Sequence, residues 1–192
     1  FRKAAQQEHN LRFSGGNDRT TFALSLGYLN QDGTLLESGA KRYSINTNLT
    51  SDVTSWLKIG GNIIANFWDI RESAYTADEG NGEGGLMGLI YRGLPMQVPV
   101  LADGSYADQW IRVPGHNFYR NPYALAFEGF RKTTNFSAIF NLFAEAQLAK
   151  NLRYKVTIAP NFGYDIEKYN NPVIDLKHPK TGAIAAMGNI PL

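Results

Sequence analysis

The chain has 192 residues and a mass of 21.3 kDa, room for one domain or two with a buried core. Lys and Arg number 19 against 17 Asp and Glu, a net charge of +2 that argues against a dedicated polyanion or nucleic-acid binder. Cysteine is absent, which removes disulfides, thiolate metal sites and Cys nucleophiles and suits an oxidising compartment. The mean hydropathy of −0.30 fits the lack of any apolar run near the roughly 20 residues of a spanning helix. Spanning strands are not excluded, because their alternating pattern averages out.

Six segments alternate with period two. Leu11-Arg12-Phe13-Ser14 ends a first strand near 8–15. In the second, near 20–29, Phe22, Leu24, Leu26 and Tyr28 oppose Ala23, Ser25 and Gly27. The third, near 42–51, sets Tyr43, Ile45, Thr47 and Leu49 against Ser44, Asn46, Asn48 and Thr50. Near 56–68, Leu57, Ile59, Ile63, Ala65 and Phe67 oppose Lys58, Asn62 and Asn66, with Ile64 as an exception. Near 133–148, Phe136, Ala138, Phe140 and Leu142 oppose Asn135, Ser137, Asn141 and Glu145, with Ile139 and Phe143 as exceptions. The last run, near 152–165, places Leu152, Tyr154, Val156, Ile158, Phe162 and Tyr164 opposite Arg153, Lys155, Asn161 and Asp165.

Several runs reach the 9–11 residues, approximately, of a tilted strand crossing a bilayer, whereas ordinary strands have about 5–6. Short connections alternate with long ones, the longest at 69–132 and 166–192. Short turns on one rim and long loops on the other are the pattern of an outer-membrane barrel. The fold class expected is therefore all-β, a fragment of a large antiparallel transmembrane barrel. Tyr28, Phe67 and Tyr164 at the long-loop ends, and Trp56 and Tyr154 beside short turns, are expected at the membrane interface. Lys58, Glu145, Arg153 and Lys155 fall on the opposite, lumen-facing phase. A charge of that kind facing lipid at the midplane costs about 2–4 kcal/mol.

Within the long connection, 84–91 suits a helical turn or two and Asp103-Gly104-Ser105-Tyr106 a tight turn, while Pro95, Pro99, Pro114 and Pro122 oppose long regular elements. His9, His116 and His178 have no metal-ligand spacing. The acids at Asp69, Glu72, Asp78 and Glu79 read as loop solubility rather than a glycosidase pair, and the glycines at 80–85 lack the Lys-Ser/Thr of a phosphate loop. Neither a catalytic group nor a cofactor nor a metal is expected. Ligand or partner contact is expected where aromatics meet amides and charges, with Trp68, Tyr106, Trp110, Asn117, Arg120 and Tyr123 as the candidates.

The stretch from Phe13-Ser14-Gly15-Gly16 through Thr20-Thr21-Phe22 to Ser25-Leu26-Gly27-Tyr28-Leu29-Asn30-Gln31-Asp32-Gly33 resembles the SusC/RagA-like TonB-dependent outer-membrane transporters. So do Lys41-Arg42-Tyr43-Ser44, Asn48, Trp56-Leu57-Lys58-Ile59-Gly60 and Asn62, followed by Leu94-Pro95, Asn121-Pro122 and Leu152-Arg153-Tyr154-Lys155. The resemblance makes 1–192 part of the barrel domain, a central slice, since nothing matches the family's plug or N-terminal domain and six strands are far fewer than about 22. A start at Phe1 and an end at Leu192 read as an excerpt. It implies uptake of glycan oligosaccharides or peptides across the outer membrane of a Gram-negative bacterium. A SusD-like surface lipoprotein would be the lid, and TonB–ExbB–ExbD would supply energy through the missing N-terminal region. The other partners would be outer-membrane lipid and the substrate, with no nucleic acid. Two other architectures share parts of the pattern: a soluble glycan-binding β-sandwich, whose apolar face would pack on a second sheet, and a passive porin.

Overall fold

The computed structural model describes residues 2–73, 85–93, 97–108, 121–170 and 172–187. Seven strands form one antiparallel sheet: β1 (Gln6–Gly16), β2 (Thr20–Asp32), β3 (Gly39–Asp52), β4 (Leu57–Glu72), β5 (Phe130–Ala149), β6 (Leu152–Ile158) and β7 (Asn161–Asn170). The first six follow one another in chain order as a meander, and β7 pairs with β5 beside β6. The all-β class and the barrel-type meander expected from the alternation are what the chain forms.

The last predicted run appears as two strands on one ladder. Leu142 opposite Ile158 and Ile139 opposite Asn161 share a single register along β5. The Phe140 amide bridges the gap by donating to the Pro160 carbonyl at 3.0 Å. Pro160 has no N–H to return, so the ladder is interrupted at Ala159-Pro160 without a change of partner. Turn chemistry fixes the short rim. The Asn17 side-chain oxygen accepts from the amides of Arg19 and Thr20 at 2.9 and 2.8 Å, and Thr54 Oγ1 accepts from Trp56 and Leu57 at 3.3 and 3.0 Å.

The register turns the sequence alternation into two continuous surfaces. On the apolar face, His9, Tyr28, Tyr43, Phe67, Phe136 and Tyr164 lie side by side across six strands. Neighbouring rings in this row lie 5.2–6.2 Å apart from His9 to Phe67, and Phe136 stacks on Tyr164 at 5.5 Å. Below it run Leu26, Ile45, Ala65, Ala138 and Phe162, and then further apolar rows toward the short turns. This face has no cover among the described residues, since Phe13, Leu49, Ile158 and Phe162 are each at least 50% exposed.

The buried core lies elsewhere, in a cap at the long-loop end. Helices α1 (Gly85–Arg92) and α2 (Pro122–Glu128) and the hairpin β8 (Ile174–Lys177) with β9 (Ile184–Met187) contribute Leu86, Leu89, Ala124, Leu125, Ala126, Ile174 and Leu176. Leu35 and Leu36 from the β2–β3 loop and Tyr169 from β7 pack against it. A sandwich would require a second sheet over the exposed apolar face. Here the only second sheet among the described residues, β8–β9, is spent on the cap.

Candidate functional site

The polar face of the sheet is built from alternate residues of every strand. Asn48, Asn62 and Asn141 stand side by side on β3, β4 and β5, two rows from Ser44, Asn66 and Ser137. The three exceptions to the alternation now have a location. Ile64 is directly opposite Ile139, so two of them form one cross-strand apolar pair within the polar wall. Phe143 covers Gly60, where an added Cβ would meet its ring at 2.7 Å, and the Lys155 ammonium sits 4.5 Å from the same ring's centroid.

Charges collect at both ends of this wall. Near the short turns, Asp52 pairs with Lys58 at 3.4 Å and Glu145 with Arg153 at 3.8 Å. At the other end Arg42 reaches Glu8 at 3.5 Å and lies 5.2 Å from the Trp68 ring centroid, while Asn135 donates to Asp165 and Arg131 pairs with Glu167 at 2.9 Å. Trp68 is thus held on the polar wall beside Arg42, whereas Tyr106 and Tyr123 belong to the cap.

In the cap, Tyr106 and Tyr123 come together with ring centroids 6.5 Å apart, and Tyr123 packs on Phe127 at 4.7 Å. Burial pushes the Tyr106 hydroxyl up to about 12, helped by its 2.6 Å hydrogen bond to the Glu128 carboxylate. The Lys177 ammonium donates to Asp103 and holds that carboxyl far below its ordinary range, with the Ser105 hydroxyl and amide adding to the effect. The tight turn expected here is real: Gly104 has φ +83°, and Val100 bridges to Tyr106 across it. Beside these rings lies a mainly apolar cavity of about 250 Å³ lined by Leu35, Leu36, Ile90, Asp108, Asn121 and Tyr123 among others.

Asn121 is a structural group. It is 3% exposed; its oxygen caps α2 by accepting from the Tyr123 and Ala124 amides at 3.0 and 3.1 Å. Its NH₂ donates to the carbonyls of Pro99 and Ala107 at 2.7 and 2.9 Å. Trp110, Asn117 and Arg120 lie outside the described residues. Of the aromatics expected at a membrane interface, Tyr28, Phe67 and Tyr164 share the ring row of the apolar face. Tyr154 lies toward the opposite end of that face, in line with Leu57 and Ala146, and Trp56 immediately precedes β4. The row also contains His9, Tyr43 and Phe136, which strand parity places there.

No family model matches the chain. Among curated proteins it is similar to TonB-dependent receptor P3 of Formosa agariphila, 32% identical over 161 residues, covering 82% of this chain and 15% of that protein. TonB-dependent receptor P39 of the same organism is 28% identical over 163 residues, covering 84% of this chain and 14% of the relative. The chain thus spans about 15% of the length of the curated relatives it matches. Among solved structures, the RagAB peptide importer in its closed-closed state superimposes with a TM-score of 0.58 at 24% identity, over 82% of this chain and 17% of that one.

Proposed function

We propose that this chain, which belongs to the TonB-dependent receptors, is of the SusC/RagA-like kind and that its sheet is wall of an outer-membrane barrel that imports large nutrients, glycan oligosaccharides or peptides. One observation carries the reading: an uncovered apolar face, edged by a row of rings, backs onto a polar face where amides stand side by side and charges form cross-strand ion pairs. In hydrocarbon such a face is stable where the backbone is bonded to a strand on either side, as β2 to β5 are here, and neighbouring strands of the whole barrel would close the two edges. The second faces a water-filled lumen. On β4 the apolar band runs from Leu57 to Phe67. At about 3.3 Å per residue and a tilt near 40° it is about 25 Å tall, the height of the outward band of such barrels.

The cap occupies the outer rim, where Tyr106, Tyr123 and the adjoining apolar cavity offer ring faces and amides to a sugar or peptide, or to a SusD-like lipoprotein lid. Trp110, Asn117 and Arg120 belong to the same loop and are proposed to share that role; Trp68 would meet cargo from the lumen side. Tyr28, Phe67 and Tyr164 would mark the outer interface and Trp56 and Tyr154 the inner one. TonB would act on parts of the whole protein outside this barrel segment, and the segment itself performs no catalysis.

The test uses the full-length protein. It should fractionate with the outer membrane, migrate as a heat-modifiable barrel, co-purify with a surface lipoprotein, and support TonB-dependent growth on oligosaccharides or peptides. A full-length protein recovered from the soluble fraction would refute the reading. Loss of growth in a Tyr106→Ala/Tyr123→Ala variant that still reaches the membrane would assign the cap to cargo or lid binding.

A further inference from the structure

The outward face does not end at the ring row. Two rows nearer the long-loop rim, Arg71, Lys132 and Lys168 stand directly beside one another on β4, β5 and β7. Lys41 lies on the same face one row below, in line with Asp69. Like charges directly opposite each other destabilise a sheet unless something of opposite sign joins them. The carboxylates of this face meet only part of the need. Asp69 takes Lys132 at 3.2 Å, Glu37 takes Arg71 at 3.2 Å, and Asp32 is engaged by Arg2 at 3.9 Å. Lys41 and Lys168 have no ion-pair partner among the described residues, so the cluster carries two uncompensated cations. Lys41, Arg71 and Lys132 also line an open polar hollow of about 290 Å³, in which Asp32, Glu37, Asp69 and Arg2 are the other charged groups.

From this placement we propose that Arg71, Lys132, Lys168 and Lys41 form a binding site for the phosphate groups of anionic lipid in the outer leaflet. The proposal rests on the barrel reading, which makes this face the lipid-facing one, and adds to it a defined headgroup contact. Depth agrees. Phe136 and Lys132 are four residues apart on β5, about 13 Å along the strand and about 10 Å once tilted. That lifts the ammonium from the ring level into the headgroup layer, where lysine stems extend readily. A phosphate seated between Lys132 and Lys168 relieves the repulsion that their register imposes.

The test uses full-length protein extracted from outer membranes in mild detergent, with retained lipid phosphate measured per barrel. A Lys132→Gln/Lys168→Gln variant should lose retained anionic lipid several-fold, whereas Arg153→Gln, on the other face at the opposite end, should match the wild type. A Lys132→Arg/Lys168→Arg variant should retain lipid and shows that loss in the Gln variant is not misfolding; heat-modifiable mobility checks the barrel in every sample. Equal retention in the Gln variant and the wild type overturns the proposal, and would mean that a neighbouring strand supplies carboxylates to these cations. Inorganic phosphate alone, if it raises the melting temperature as much as anionic nanodiscs do, assigns the site to free phosphate and overturns the lipid assignment. A protein absent from the outer membrane would instead refute the barrel reading itself.

Discussion

Adjacent residues of β4 separate the two environments most sharply. Ile63 lies near the middle of the apolar band between Thr47 and Phe140, and Asn62 sits on the other face between Asn48 and Asn141. If the first face meets lipid, Ile63→Arg places a guanidinium near the midplane and costs about 2–4 kcal/mol. At about 1.4 kcal/mol per tenfold, that is about 30- to 700-fold in the folding constant. Asn62→Arg enters a wall already lined by amides and should cost less than about 1 kcal/mol, the usual scale of a surface change. The assay is the folded fraction of the full-length protein in lipid vesicles across a urea series, read by heat-modifiable mobility. The midpoint should fall for Ile63→Arg and hold for Asn62→Arg. Equal midpoints, or the reverse order, would refute the assignment of faces.

Gly60→Val should destabilise the wall by about 1–3 kcal/mol, because its Cβ would meet both the Leu49 carbonyl and the Phe143 ring at 2.7 Å; Phe143→Leu should restore only part in a double-mutant cycle. Asn121→Ala removes the cap of α2 and strands the Pro99 and Ala107 carbonyls, a loss of about 2–4 kcal/mol that limited proteolysis should detect in the cap while the barrel stays heat-modifiable. The Asp103 carboxyl is depressed in the folded state, so its contribution is full above about pH 4 and fades as pH falls below that; protease sensitivity of the cap should rise in acid, and Asp103→Asn should flatten that limb. Tyr106 is raised to about 12, so its contribution is full below about pH 10 and disappears as pH climbs toward 12; Tyr106→Phe should abolish that alkaline limb.

The sheet was legible because each strand borders two different environments, and a two-residue period records both. Even the exceptions obeyed the geometry: Ile64 and Ile139 meet each other, and Phe143 fills the space over Gly60. Their partners depend on register, which no single strand encodes. The period-two run at 152–165 passes straight through Pro160, whose missing N–H interrupts the ladder between β6 and β7. In the long connection 84–91 suits a helical turn or two and α1 lies there, but Pro122, grouped with the prolines that oppose long regular elements, in fact opens α2. At the first helical position after an Asn cap, proline instead starts the helix, and Asn121-Pro122 is that signal. The hairpin β8–β9 was hidden in the second long loop because each strand has four residues.

The cap could not be read from any one segment, since its core is assembled from chain stretches far apart in sequence. Leu35 and Leu36 come from one long-rim loop, Leu86 through Ala126 from the next, and Ile174 with Leu176 from beyond β7. Ser73, at the end of β4, hydrogen-bonds to the Leu125 carbonyl at 3.2 Å, and Lys177 reaches Asp103 across 74 residues. Each of these contacts joins loops that the hairpins of the wall bring to one rim, so the cap's geometry depends on the wall. The wall's ladder joins β1 to β7 without any residue of the cap, and on the barrel reading lipid covers its apolar face. On the proposed barrel reading, sequence change in the cap would alter the rim while the wall stays intact, as expected of loops carried on a hydrogen-bonded scaffold.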